Sequence, residues 1–253
     1  HIPLQLIREA SMKNGKQLST AALMVGLLTC GPLTDGLPVP DTMTALNTSE
    51  GFDILAQTAT RGAFDAAFVH FEIQQDESSC SRASAVTILN AMAAHGIDAP
   101  VSEAYAPYAY WTQDVYINDS CVATNCTAPC TLDEAANALA CHNGVASEAL
   151  KAYQLGEAGL RALLNQTSST VFVIANFERS SVGMVGGGHF SPVVAYNEHE
   201  DVALVLDVAK YKYPPTWMPL ATLWDGINTI DSSSSDKRGI ILVRVLESKL
   251  SPS

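Results

Sequence analysis

With 253 residues, 47% of them hydrophobic, the chain can bury one substantial core or two small lobes. A formal net charge of −12 argues against a nucleic-acid partner, because phosphate binding needs basic surface.

In chain order the first element is a leader. Met12-Lys13-Asn14-Gly15-Lys16 is basic, and Ala21-Ala22-Leu23-Met24-Val25-Gly26-Leu27-Leu28 is an apolar run too short to span a membrane. Together they predict a signal peptide within residues 1–30, hence export to a periplasmic, secreted or lipid-anchored location. The chain would be cytoplasmic if Met12 is not the true start. Leu27-Leu28-Thr29-Cys30 loosely resembles a lipobox, with Thr unusual before the Cys. Residues 31–49, rich in Gly, Pro, Thr and Asp, are expected to form a linker. The catalytic domain is expected over 50–246, with a tail at 247–253.

Cys80 follows Gln74-Gln75-Asp76-Glu77-Ser78-Ser79 and opens an apolar pattern at helical spacing (Ala83, Val86, Leu89, Ala93) that ends at His95-Gly96. A cysteine at a helix N-terminus meets free N–H groups and the positive end of the macrodipole, both favouring thiolate. Gln74 is placed to add an amide N–H to an oxyanion hole. Tyr105, Tyr108, Tyr110 and Trp111 are expected in the cleft wall or the core.

Cys121, Cys126, Cys130 and Cys141 cluster at spacings that suit no familiar zinc site. Beside an export signal, four cysteines predict two disulfides, with three pairings open; a soft-metal site and reduced buried thiols are the other readings. Sequons at Asn47, Asn118, Asn125 and Asn165 decide nothing. Thr131-x-x-Glu134 is a capping box opening a helix through Ala140, and residues 156–164 predict a second. Residues 170–176 form a continuous apolar strand, and Gly186-Gly187-Gly188 precedes another strand rather than a helix. Gly188 therefore suits close approach of the substrate beside His189.

His189 starts the apolar strand of Gly188-His189-Phe190-Ser191-Pro192, and Asn197-Glu198-His199-Glu200-Asp201 predicts a tight reversal. Antiparallel register then sets His189 opposite about residue 207 or 208, so Asp207 would orient its imidazole. Cys80, His189 and Asp207 make a nucleophile, base and orienter. Lys210, Lys212, Lys237 and Arg238 form a basic cluster that stands out in an acidic chain. Residues 219–226 predict a helix entered by proline, and 239–245 a last strand. Helices first and strands later imply a segregated α+β fold with the site between a helical lobe and a sheet lobe.

Glu72-Ile73-Gln74 through Leu89-Asn90-Ala91, the Gly-His-Phe-Ser-Pro strand, Leu206-Asp207-Val208-Ala209-Lys210-Tyr211-Lys212-Tyr213-Pro214-Pro215, and Asn228 through Asp231 with Lys237-Arg238-Gly239 resemble phytochelatin synthase. The resemblance runs from about Gly51 to about Val245. It implies a papain-like cysteine protease fold, with a helical lobe and an antiparallel β-sheet lobe. The implied activity cleaves the Cys–Gly bond of glutathione. γ-Glu-Cys held on Cys80 then passes to water or to a second glutathione, making phytochelatin. His189 would be the acid/base, Asp207 its orienter and Gln74 the oxyanion donor.

Further implications concern substrate and metal. Asp231 would meet the substrate's α-amino group and Arg238 its carboxylate, with Lys210, Lys212 and Gly188 beside them. No cofactor is tightly bound; cadmium or another heavy metal enters as a glutathione thiolate or activator. Partners are glutathione and its heavy-metal thiolates, with a homodimer left open. The family usually has Tyr-Cys-Gly where this chain has Ser79-Cys80-Ser81, which raises the question of whether Ser81 needs a glycine-like backbone. The chain stops at Ser253, so a short, catalytic-core-only form is expected, favouring glutathione cleavage over chain building. Other readings are a papain-like peptidase on ordinary peptides and a non-catalytic exported metal- or thiol-binding protein.

Overall fold

The computed structural model describes residues 36–126 and 129–250; the expected signal peptide and Cys30 lie outside them. The chain enters through the short strand β1 (Thr44–Ala45) and helices α1 (Ser49–Gln57), α2 (Gly62–Ala67) and α3 (Cys80–Met92). Three short helices follow: α4 (Gln113–Asn118), α5 (Ser120–Asn125) and α6 (Leu132–Leu139). Then come β2 (Val145–Lys151), α7 (Ala152–Leu164), β3 (Val171–Glu178), β4 (Gly188–Asn197) and β5 (Val202–Val205). β6 (Thr216–Pro219), α8 (Leu220–Ile227), the hairpin of β7 (Ile230–Asp231) with β8 (Asp236–Lys237), and β9 (Gly239–Val245) complete the order.

The fold is α+β, built on an antiparallel seven-stranded sheet ordered β1-β6-β5-β4-β3-β9-β2. Alternation along β3 divides the core. Phe172 and Ile174 face the layer of α1 to α6, while Val173, Ala175 and Phe177 face α7 and α8. The expected division into a helical lobe and a sheet lobe is thus modified. Helices cover both sheet faces, because the strands carry apolar residues on both sides.

Several local expectations reappear in the coordinates. The capping box of α6 is formed: Thr131 N–H donates to Glu134 Oε2 at 2.8 Å, and Glu134 N–H to Thr131 Oγ1 at 3.3 Å. The helix expected at 156–164 begins earlier, at Ala152, and Gly156 at φ 67° interrupts it. The strand expected at 170–176 becomes β3, an interior strand between β4 and β9. Helix α3 is more buried than an amphipathic pattern predicts, with Arg82 alone of its residues not buried. Its Ala, Ser, Thr and Cys side chains are small enough for neighbours to pack on every side.

Residues 36–49 do not behave as the expected linker. Leu37 N–H donates to Lys212 O at 2.7 Å, and Met43 and Leu46 are buried. β1 pairs with Trp217 and Thr216 as the edge strand. Gly, Pro and Thr dominate the composition of this stretch, but its few apolar side chains face the core, and burial decides the outcome.

Candidate active site

Cys80 is the first residue of α3 and the free cysteine among the described residues. The turn before it is rigid: Asp76 N–H donates to Ser79 Oγ at 2.9 Å, and Ser79 Oγ donates to Asp76 O at 2.9 Å. The His189 imidazole and the backbone of Phe190 and Ser81 are the groups that favour the thiolate form of Cys80. Burial pushes the thiol pKa up, but these groups outweigh it, leaving Cys80 below the ordinary thiol value.

His189, at the start of β4, donates from Nε2 to Asp207 Oδ1 at 3.0 Å. That orientation leaves its other ring nitrogen for Cys80. Burial pulls the imidazole pKa down, and the Asp207 and Cys80 interactions more than reverse it, so the net shift is upward. A depressed thiol beside a raised imidazole favours a thiolate–imidazolium pair. Asp207 is itself held at about 2; burial opposes this, and the hydrogen bond and charge of His189, then Arg179, overcome it.

The contact between His189 and Asp207 is reached by a different route from the expected one. The β4–β5 ladder carries a register shift between Val193 and Ala195 and ends at Val193↔Val205. His189 pairs with Phe177 of β3 instead. Asp207 lies past the end of β5, where Leu206 N–H donates to Pro192 O at 2.9 Å and Val208 N–H to Ser191 Oγ at 3.3 Å. These two bonds carry the chain alongside β4 after the ladder stops.

Arg179, absent from the sequence reading, completes the cluster. It follows β3 directly, is 3% exposed, and donates from Nη2 to Asp207 Oδ1 at 2.7 Å. Its guanidinium also lies over the Tyr213 ring at 5.5 Å. The signal available in sequence was a lone Arg at the end of an apolar strand, which usually points to solvent. Asp207 Oδ1 further accepts the N–H of Ala209 at 2.8 Å, so three donors converge on one oxygen.

Cys80, Ser81, Gly188, Phe190, Asp231 and Arg238 line one small cleft of about 140 Å³, below the range of about 300–1,000 Å³ for drug-sized ligand sites. Arg238 donates from Nη1 to Asn176 Oδ1 at 2.7 Å and from Nη2 to Glu178 Oε2 at 3.1 Å, with Asp231 Oδ2 3.2 Å from Nη1. Gly188 serves Arg238 here: a Cβ on it would lie 2.5 Å from both Nη atoms. Its lack of a side chain makes room for the guanidinium, a different role from the direct approach of substrate expected of it.

Three expectations need correction. Lys210 and Lys212 do not line this cleft: Lys210 Nζ donates to Phe71 O at 2.8 Å, and Lys212 Nζ to Glu77 at 3.3 Å. Lys237 is tied to Asn228, so the basic residues are dispersed among separate partners. Gln74 donates its amide to Asp76 O and Tyr211 Oη, both at 2.8 Å, and is not in the cleft lining. The aromatic run also divides: Trp111 is core, whereas Tyr105, Tyr108 and Tyr110 border a separate surface hollow with Glu72.

Ser81 needs no glycine-like backbone. It is the second residue of α3 and does not appear among the positive-φ residues. Its buried Oγ has no hydrogen-bond partner and borders the cleft. The cysteine cluster is closed as Cys121–Cys141 and Cys126–Cys130. Cys130 and Pro129 form a cleft wall shared with Cys80.

A family model described as phytochelatin synthase matches residues 34–240. The chain belongs to the phytochelatin synthase family. Among curated relatives, glutathione gamma-glutamylcysteinyltransferase 1 of Lotus japonicus is 30% identical over 196 residues, covering 74% of this chain and 37% of the relative. The Triticum aestivum protein of the same name is 31% identical over 213 residues, covering 77% and 39%. The Schizosaccharomyces pombe glutathione gamma-glutamylcysteinyltransferase is 40% identical over 68 residues, covering 27% and 16%. The chain thus spans about two-fifths of the plant relatives' length. The family match includes Cys80, His189, Asp207 and Arg238, the residues that geometry brings to or beside one cleft.

Proposed function

We propose that this chain is an acyl-transferring cysteine enzyme that cleaves the Cys–Gly bond of glutathione. The observation that carries the reading is the buried relay of Cys80, His189 and Asp207, opening on a cleft that Arg238 and Asp231 also line. A papain-like arrangement, with cysteine on a helix and base on an antiparallel sheet, is the finer fold reading it supports.

The Cys80 thiolate attacks the cysteinyl carbonyl. Backbone N–H groups at the start of α3 hold the oxyanion. The His189 imidazolium gives its proton to the departing glycine amine, leaving γ-Glu-Cys as a thioester on Cys80. His189 then takes a proton from water or from the amine of a second glutathione. Metal-bound glutathione thiolate, with cadmium as the metal, is the acceptor substrate for phytochelatin.

Asp231 and Glu178 offer carboxylates to the γ-glutamyl ammonium, and Arg238 offers a fork to its carboxylate once substrate displaces one of its internal partners. The two disulfides support an oxidising, exported setting. The test incubates purified protein with glutathione, with and without cadmium, and weighs products and protein. Glycine release and a γ-Glu-Cys adduct on Cys80 are expected, and neither from Cys80→Ala. Glycine release by that variant, or none by the wild type, overturns the reading. Equal rates on an α-linked Glu-Cys-Gly peptide would remove the γ-glutamyl preference alone.

A further inference from the structure

The Cys126–Cys130 disulfide joins the C-cap of α5 to the residue before the N-cap of α6. Its members differ in placement. Cys126 is 2% exposed and absent from the cleft lining, whereas Cys130 shares that lining with the nucleophile Cys80 and with Arg238. The second disulfide, Cys121–Cys141, ties the other ends of the same two helices, with Cys121 exposed and Cys141 partly so. One bond therefore lies at exposed or partly exposed residues, and the other has one member, Cys130, in the lining of the substrate cleft.

We propose that the Cys126–Cys130 disulfide is a second thiol-reactive site inside the cleft, attacked at Cys130 by a small thiol that enters beside Cys80. The thiolate bonds to Cys130 Sγ, the bond to Cys126 breaks, and Cys126 leaves as a thiolate that takes up a proton. This gives a mixed disulfide on Cys130. A second thiol attacks the small-thiol sulfur of that bond, releasing Cys130 as thiolate and the two small thiols joined as their disulfide. Two thiols are oxidised and one protein disulfide is reduced, so the electrons balance. Without the second thiol, Cys126 re-attacks Cys130 and restores the original bond.

The identity of the thiol as glutathione rests on the proposed function; the chemistry requires only a thiol small enough for the cleft. Opening the bond frees Cys130 from Cys126 at the end of α5, so the part of the cleft lining made by Pro129 and Cys130 loses its covalent tether. Substrate binding should weaken while the relay of His189 and Asp207, anchored on the sheet, is untouched. The cleft would then sense the thiol level of its surroundings.

The full chain carrying Cys80→Ala separates exchange from acyl transfer. It is incubated with glutathione, with 2-mercaptoethanol, or with a thiol fixed to a large polymer. The reaction is quenched with an alkylating agent and mapped by peptide mass. Both small thiols should form a mixed disulfide on Cys130 or leave Cys126 alkylated, and the polymer thiol should open Cys121–Cys141 alone. No adduct on Cys130 and no alkylated Cys126 with the small thiols overturns the proposal, as does equal opening of Cys126–Cys130 by the polymer thiol.

The consequence is read in Cys126→Ser/Cys130→Ser with Cys80 intact. KM for glutathione should rise severalfold with kcat within about twofold; an unchanged KM overturns the wall role. If the wild type releases no glycine, the proposed function fails while the 2-mercaptoethanol arm still reports exchange.

Discussion

The two sides of the cleft are held by different physics. On the sheet side, His189, Asp207, Arg179, Asn176 and Arg238 sit on or just beyond adjoining strands, each at most 5% exposed and linked by hydrogen bonds of 2.7–3.0 Å through His189–Asp207, Arg179–Asp207 and Asn176–Arg238. Backbone ladders set those positions, so the charges cannot drift apart. On the other side, α5 and α6 are short helices fastened at both ends by disulfides. The comparison teaches that the reacting groups are placed by sheet register and the opposing wall by covalent staples. Chemistry should depend on the first side, binding and local stability on the second.

The largest expected effect tests the sheet side. Asp207→Asn leaves His189 without its ionised partner and should lower kcat/KM by about 10²–10⁴-fold. Asp207 and Cys80 raise the imidazole pKa, so activity limited by imidazolium should extend above the usual histidine range before falling. Removing the Asp207 charge should shift that alkaline limb to lower pH. A pH–rate profile checks it, and an unmoved limb would assign the limb to another group.

Next in size is Arg179→Met, which strips the guanidinium from a buried carboxylate. Breaking such a pair costs about 3–5 kcal/mol, so denaturant unfolding should show a loss of that order. Asp207 has a folded pKa of about 2, below its usual value of 3.8, so its share of stability is present above the unfolded pKa. That share drains as pH falls through the window between those values.

Two smaller predictions concern the helical hairpin. Cys121→Ser/Cys141→Ser opens a loop with a sequence separation of 20 residues and should cost about 3 kcal/mol in unfolding, with glycine release little changed. A loss of kcat matching that of Asp207→Asn would break the division between the two sides. Smallest is Thr131→Ala, which removes the Oγ1 half of the α6 capping box and should cost about 1 kcal/mol. Thermal melting measures it.

Local elements were legible where local chemistry decides them. The capping box at Thr131 and Glu134, the apolar run of β3 and the strand from Gly239 to Val245 each follow from a short pattern. Residues 36–49 carry a linker's composition although they dock as an edge segment, because the two share the same residue types. Arg179 was missed because no local pattern distinguishes a buried arginine from an exposed one; its partner is 28 residues away. Lys210, Lys212 and Arg238 looked like one cluster by residue type, yet their backbones aim the side chains to different neighbours.

The sequence by itself determined the helix that presents Cys80 and the strand that presents His189. Those depend on periodicity, caps and turns within a few residues. Only the tertiary structure decided which groups surround them: Asp207 beside His189, Arg179 on Asp207, Arg238 in the space left by Gly188, and Cys130 but not Cys126 in the cleft lining. Such contacts join residues far apart in the chain, and burial makes each partner's charge matter. Sequence spacing carries no record of either.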